Sequence, residues 1–158
     1  MTYLLIIICI LLDFLISYFM PNFFNNLNLF YPMLTLTLLV FLYKKKKDKE
    51  YKKITITVGI IYDLLFSYLF LFHVLIFLLF TKIMKKVEKL VQYNFFVRLF
   101  LLILFIFLYD LVLFLIIYIS GYNKVSLNDL FYKFSHSLAL NLSFYFLLNI
   151  IFYKKKIK

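Results

Sequence analysis

The sequence predicts an all-α membrane protein, a polytopic helical bundle of about six segments with a short helical hairpin at its centre. Of its 158 residues, 66% are hydrophobic and the mean hydropathy is +0.99, whereas an ordinary soluble domain is only about half apolar. The apolar residues form long runs, and lysine-rich stretches separate several of these runs. We therefore expect residues 1–158 to form a single integral membrane domain.

The formal net charge of +11 is concentrated in three lysine-rich stretches, residues 44–53, 82–89 and 154–158. Short basic loops stay on the cytoplasmic side of a membrane. The three stretches therefore predict one common side, with both chain termini in the cytoplasm. Because these charges lie beside membrane segments, they indicate topology and attraction to anionic membrane lipids, and we expect no nucleic-acid partner.

The first two segments are predicted at approximately 3–20 and 29–43, joined by an asparagine-rich loop expected on the outer side. Asp13 interrupts the first segment. No basic residue precedes this segment and no small-residue cleavage site follows it, which favours a retained helix over a removed signal peptide. Pro32 lies near the start of the second segment, where its missing N–H is harmless.

The central run Ile54–Ile83 would form a helix of about 45 Å if it were continuous, well beyond a hydrocarbon core of about 30 Å. Basic stretches on both flanks require an even number of crossings if both stretches are cytoplasmic. We therefore predict two short helices, approximately 54–66 and 70–82, with a turn at residues 67–69.

This hairpin would bring Asp63 and His73 together. Both residues are five positions from Tyr68, so an antiparallel pair of helices that turns there places them at the same depth. A continuous helix would separate them by about 15 Å along its axis. The pair could hold the hairpin closed, or it could form a site that responds to protons or to a ligand.

The last two segments are predicted at approximately 94–120 and 136–153. Asp110 lies about two-thirds of the way along the first of them. Between them, residues 126–129 (Ser-Leu-Asn-Asp) could cap a short interfacial helix. On the final segment, interhelical polar contacts are predicted for Asn141, Ser143 and Asn149.

Asp13, Asp63 and Asp110 are the only acids inside apolar segments. Such acids are functional candidates by default, and three near mid-depth could form a proton or cation path. Packing or assembly roles are the simpler interpretation. The sequence contains no pattern typical of a catalytic site, a phosphate-binding loop or a metal site, and Cys9 is its single cysteine. We therefore predict a protein that is not an enzyme and needs no cofactor.

Residues 62–65 (Tyr-Asp-Leu-Leu), with His73 ten positions after the acid, resemble the central signature of the rod shape-determining MreD family. In that family a G-x-x-x-D-L-L-type helix precedes a turn and a helix that opens with His or Asn, and Gly59 and Asp63 fit this spacing. Pro32, followed by an apolar run that ends in Tyr43, is similar to the family's second helix. The resemblance covers most of the chain.

The resemblance implies a non-enzymatic scaffold subunit of the bacterial cell-wall elongation machinery in the cytoplasmic membrane. Such a protein binds an MreC-like single-pass protein and helps couple MreB to peptidoglycan synthases, directly or indirectly. The structural or interaction candidates are Asp63, His73, Gly59, Pro32, Asp13 and Asp110.

The resemblance also supplies an alternative, because the family's fold is similar to the substrate-binding subunits of energy-coupling-factor vitamin transporters. Those subunits usually dock through an Ala-xxx-Ala pattern on the first helix, and residues 3–20 contain no Ala or Gly. A third possibility, a holin-like pore former, suits the charge pattern but not the hairpin.

Overall fold

The computed structural model describes residues 2–23, 32–66, 71–121 and 126–154. Within these ranges the chain is all-helical, which confirms the predicted fold class. The described elements are α1 (Thr2–Phe23), α2 (Leu34–Leu42), a 3₁₀ turn (Tyr43–Lys45), α3 (Asp48–Phe66), α4 (Phe72–Leu90), α5 (Phe95–Ser120) and α6 (Leu127–Lys154).

Three of the described helices, α1, α5 and α6, are long and apolar enough to cross a membrane by themselves. Much of their surface consists of exposed large apolar side chains, such as Leu15 in α1, Phe100 in α5 and Ile151 in α6. Exposing such a surface to water is energetically unfavourable, whereas lipid chains can pack against it. These three helices give the molecule the character of a multi-pass membrane protein.

Helix α2 is buried along its whole length and packs against α1, α5 and α6. Its nine residues make it about 13 Å long, less than half of a hydrocarbon core of about 30 Å. The helix is shorter than the predicted segment 29–43, because Pro32 and Met33 precede it in a non-helical conformation. Residues 29–31 lie outside the described part of the chain.

Helices α3 and α4 form the predicted antiparallel hairpin, although its predicted turn at residues 67–69 lies outside the described residues. Each helix has 19 residues and is longer than predicted. The additional turns come from the lysine-rich residues 48–53 and 83–90, which continue the helices beyond the predicted ends. Acidic side chains in the first turn of α3, those of Asp48 and Glu50, favour this extension.

Helices α3 and α4 approach each other closely where Gly59 of α3 faces Val74 of α4. A Cβ atom at position 59 would lie 2.7 Å from the Val74 Cα and 2.9 Å from its backbone nitrogen. These are backbone atoms, so only a separation of the two helices could relieve the contact. Gly59 therefore allows the close approach of α3 and α4.

The first two lysine-rich stretches meet at one end of the bundle, which we call the basic end (residues 44–53 and 82–89). Lys85 forms an ion pair with Asp48 at 2.6 Å, and Lys44 forms one with Glu88 at 2.8 Å. Glu88 also accepts a hydrogen bond from the Tyr43 hydroxyl at 2.7 Å. The hydrogen bonds from Lys44 and Tyr43 lower the pKa of Glu88.

The beginning of α1 and the end of α6 lie at the same basic end. Tyr3 of α1 and Lys53 of α3 line one groove. At the end of α6, the ammonium group of Lys45 lies 4.1 Å from the centre of the Phe152 ring. The basic residues 155–158 lie outside the described part of the chain.

Helices α5 and α6 begin at local caps. The side chain of Asn94 accepts a hydrogen bond from Val97 N at 3.0 Å, and Asp129 Oδ2 accepts one from each of Ser126 N and Ser126 Oγ, both at 2.8 Å. Asp129 N also donates a hydrogen bond to Ser126 Oγ at 3.3 Å, so residues 126–129 cap a helix start, as predicted. The prediction of a separate short helix was wrong, because the cap opens the continuous 28-residue α6, which starts well before position 136.

Buried polar contacts as the candidate functional site

Asp13 of α1 caps the start of α2 from outside that helix. Its Oδ1 accepts a hydrogen bond from Leu34 N at 2.9 Å, and its Oδ2 accepts one from Thr35 N at 3.0 Å. Tyr62 of α3 donates its hydroxyl to the same Oδ2. A helix start leaves several N–H groups without partners, and water is not available to them at membrane depth. Asp13, only 1% exposed, supplies the partners from α1.

Asn141 of α6 completes the start of α2. Its side-chain oxygen accepts hydrogen bonds from Met33 N and from Thr37 Oγ1, each at 3.1 Å. Pro32 comes immediately before and has no N–H that needs a partner. The beginning of α2 is therefore held directly by side chains from α1 and α6, while Tyr62 of α3 bonds the capping Asp13.

Of the three polar residues predicted to join α6 to other helices, only Asn141 has such a bond in the described structure. Ser143 donates its hydroxyl to Ala139 O at 2.9 Å, and Asn149 donates its amide to Tyr145 O at 2.7 Å. Both acceptors lie one turn back on α6 itself. Short polar side chains in a helix commonly satisfy themselves in this way.

Asp63 of α3 caps the start of α4. Its Oδ1 accepts a hydrogen bond from His73 N at 2.8 Å and lies 2.8 Å from His73 Nδ1. The predicted contact between Asp63 and His73 is therefore present. On the other side of the ring, His73 Nε2 lies 2.8 Å from the hydroxyl of Tyr109 in α5. These three side chains join α3, α4 and α5.

The residue before α4 explains why that helix start needs an external cap. Leu71 occupies the N-cap position and has a φ of +64°, in the left-handed region that residues with a Cβ rarely adopt. Leucine has no side-chain oxygen with which to accept a bond from the first turn. Asp63 supplies that acceptor from α3.

Tyr62 connects the two helix starts. Its hydroxyl contacts Asp13, while its ring packs edge-to-face against the His73 ring with their centres 5.3 Å apart. Neither Tyr62 nor Tyr109 is among the site residues predicted from the sequence, although Tyr62 is the first residue of the motif at 62–65. Each directly precedes an acid inside an apolar run, in Tyr62–Asp63 and in Tyr109–Asp110. A buried tyrosine hydroxyl usually needs a partner, so this repeated pair was an available signal.

Asp110 differs from the other two acids. It is 1% exposed, and neither of its carboxyl oxygens has a hydrogen-bond partner among the described residues. Lys133 of α6 is near enough to attract it electrostatically. Asp13 and Asp63 therefore cap helix starts. Asp110 lies on the buried face of α5 and caps no helix in the described structure.

No group of three or more His, Cys, Asp or Glu side chains placed to hold a metal ion occurs in the parts of the chain that the structure describes. What the arrangement does is bind backbone N–H groups at two buried helix starts and join neighbouring helices. The fold and these contacts define a class: an all-helical, multi-pass membrane protein in which buried polar side chains hold the helices in place.

A family model described as rod shape-determining protein MreD matches residues 1–155 of the 158-residue chain. The chain belongs to the MreD family, which confirms the resemblance seen in the sequence. It is thus a rod-shape-determining membrane protein of the cell-shape machinery, in a family of structural shape-determining proteins. No curated protein and no solved structure matches the chain.

Proposed function

We propose that this protein is a non-enzymatic scaffold subunit of the bacterial cell-wall elongation machinery. In this role it binds an MreC-like single-pass membrane protein and helps couple MreB, directly or indirectly, to peptidoglycan synthases. The observation that carries the proposal is the family match over residues 1–155. A subunit that links other proteins needs a defined arrangement of helices more than a reactive group.

The buried contacts support a scaffold because each one fixes a helix relative to its neighbours. Asp13 and Pro32 set the start of α2, while Asp63 and His73 set the start of α4. Gly59 sets the spacing of the hairpin. Large apolar side chains remain exposed along the outside of α1, α5 and α6, where lipid or a partner's membrane helix can pack.

We also propose that the whole chain forms one domain in the bacterial cytoplasmic membrane, with both termini in the cytoplasm. The meeting of residues 44–53 and 82–89 at one end, with the beginning of α1 and the end of α6 beside them, supports this orientation. Loops rich in lysine are retained on the cytoplasmic side.

The alternative, a substrate-binding transport subunit, gives the same residues a different role. It requires Asp63 and His73 to contact a ligand. Both ring nitrogens of His73 already lie at hydrogen-bond distance from protein atoms, those of Asp63 and Tyr109. That geometry favours a structural use of the pair over ligand binding.

Depletion in a rod-shaped host tests the function. We expect the cells to widen and become round, and the wild-type gene supplied in trans to restore the rod. Unchanged cell width after loss of the protein would contradict the proposal.

A crosslinked pull-down from native membranes, identified by mass spectrometry, tests the partners. We expect a single-pass protein with an external coiled coil, together with wall synthases. Recovery of a membrane coupling subunit with paired cytoplasmic ATPases would instead establish the transport alternative. Asp63 and His73 would then be examined as ligand contacts.

A further inference from the structure

A groove of about 600 Å³ lies on the outer face of the α3–α4 hairpin. Its apolar part is lined by Leu75 and Leu79 of α4, which are 67% and 53% exposed. The rest of the groove is lined largely by lysine side chains, those of Lys52, Lys82 and Lys85. One surface depression therefore combines exposed hydrocarbon with a concentration of positive charge.

The change from leucine to lysine follows the axis of α4. Residues 75, 78, 79, 82 and 85 recur at intervals of three and four and so share one helix face. From Leu75 to Lys82 the helix rises about 10 Å. Over two turns the groove passes from apolar to cationic, and a membrane leaflet changes from acyl chains to headgroups over a similar depth.

Helix α3 places a second lysine at the same level as Lys82. The contacts of Asp48 with Lys85 and of Gly59 with Val74 define an antiparallel register in which Lys52 lies opposite Thr81. Lys52 and Lys82 thus lie about one turn nearer the leucines than the ion pair between Asp48 and Lys85. Among the described residues, no acid forms an ion pair with either of these two lysines.

We propose that this groove binds one molecule of an anionic phospholipid. The lipid phosphate lies between the ammonium groups of Lys52 and Lys82, and an acyl chain follows Leu79 and Leu75. Two cations around a phosphate select for a headgroup without a compensating positive charge. A zwitterionic lipid carries its own cation beside the phosphate and is disfavoured. This inference is independent of the scaffold proposal and of the identity of any protein partner.

Native mass spectrometry of the full chain in a mild non-ionic detergent tests the site. The protein is given equal amounts of phosphatidylglycerol and phosphatidylcholine with identical acyl chains. We expect the wild-type protein to retain phosphatidylglycerol at least about tenfold more strongly. The double variant Lys52→Gln/Lys82→Gln should bind phosphatidylglycerol about thirtyfold more weakly, the loss expected when two lysines next to a phosphate are neutralised.

The matched control is Lys49→Gln/Lys86→Gln, which removes the same charge from the same two helices outside the groove. This variant should bind phosphatidylglycerol within about twofold of wild type. Lys52→Arg/Lys82→Arg keeps both positive charges and should also retain the lipid. If the glutamine variant does not fold, the single variants Lys52→Gln and Lys82→Gln, each expected to bind about fivefold more weakly, and the wild-type competition between the two lipids provide the test.

Several results would overturn the proposal. One is equal retention of the two lipids by the wild-type protein, and another is an equal loss in the groove and control variants, which would indicate diffuse attraction. A third is binding of soluble glycerol phosphate as tightly as the lipid, which would indicate a phosphate site. Displacement of phosphatidylglycerol by an acidic peptide that copurifies with the protein would assign the groove to a protein partner.

Discussion

The starts of helices α2 and α4 are capped by carboxyl groups from other helices. The starts of α5 and α6 are capped by residues next to them in the sequence. Asp13 reaches the start of α2 from 21 residues away and is buried. Asn94, by contrast, caps α5 through Val97, three residues on, in an exposed position. The same hydrogen-bonding requirement is therefore met in two ways in one molecule.

The difference lies in what can replace the cap. At an exposed helix start, water can bond the free N–H groups when the capping side chain is removed, so the loss is moderate. At a buried start inside a membrane protein no water is available, and each unpaired group costs the full desolvation penalty. We therefore expect substitutions at Asp13, Asp63 and Asn94 to differ in cost according to burial.

The largest effect is expected for Asp13→Ala. It leaves Leu34 N and Thr35 N without their acceptor, and the free energy of unfolding should fall by about 3 kcal/mol or more. Asp13→Asn keeps one side-chain oxygen and should lie between alanine and wild type. The measurement is an unfolding titration in mixed detergent micelles.

Leu15→Ala is the control for that titration, because it shortens a side chain on the exposed face of the same helix. Its cost should be below about 1 kcal/mol. If Asp13→Ala lowered the free energy of unfolding no more than Leu15→Ala, the cap that α1 provides for α2 would not contribute appreciably to stability.

A smaller effect is expected for the interaction between Asp63 and His73. A double-mutant cycle with Asp63→Asn and His73→Gln should give a coupling energy of about 1 kcal/mol, within the range of polar contacts between membrane helices. The same unfolding titration provides all four free energies. Purely additive losses would show that the two side chains do not stabilise each other.

Asn141 provides a comparison for this cycle, because it acts at the start of α2 and shares no hydrogen-bond partner with Asp63 in the described structure. Asp63→Asn combined with Asn141→Ala should be additive within about 0.5 kcal/mol. Coupling as strong as that of the Asp63–His73 pair would indicate a general weakening of the bundle.

The smallest effect is expected for Asn94→Ala at the exposed start of α5. The lost bond to Val97 N should lower the free energy of unfolding by about 1 kcal/mol at most. Asn94→Asp restores an acceptor and should return the stability to near wild type. A loss as large as that of Asp13→Ala would contradict the distinction between exposed and buried caps.

The sequence by itself determined the features that depend on spacing along the chain. Apolar runs and lysine stretches predicted the helices and the hairpin, since a helix needs only a local pattern. Equal distances from Tyr68 placed Asp63 beside His73, and the stretch Ser-Leu-Asn-Asp at residues 126–129 predicted a helix cap. In each case the partners are neighbours in one helix start or in one hairpin.

Only the tertiary structure decided which distant residues became partners. Asp13 acts on α2, Asn141 acts on Met33 from 108 residues away, and Tyr109 reaches His73 from α5. The sequence marked Asp13 as an unusual acid but not as a cap, because that role depends on which helices pack together and at what depth α2 begins. Local geometry is set by the bonds between successive residues, whereas these contacts arise only when helices far apart in the chain have packed.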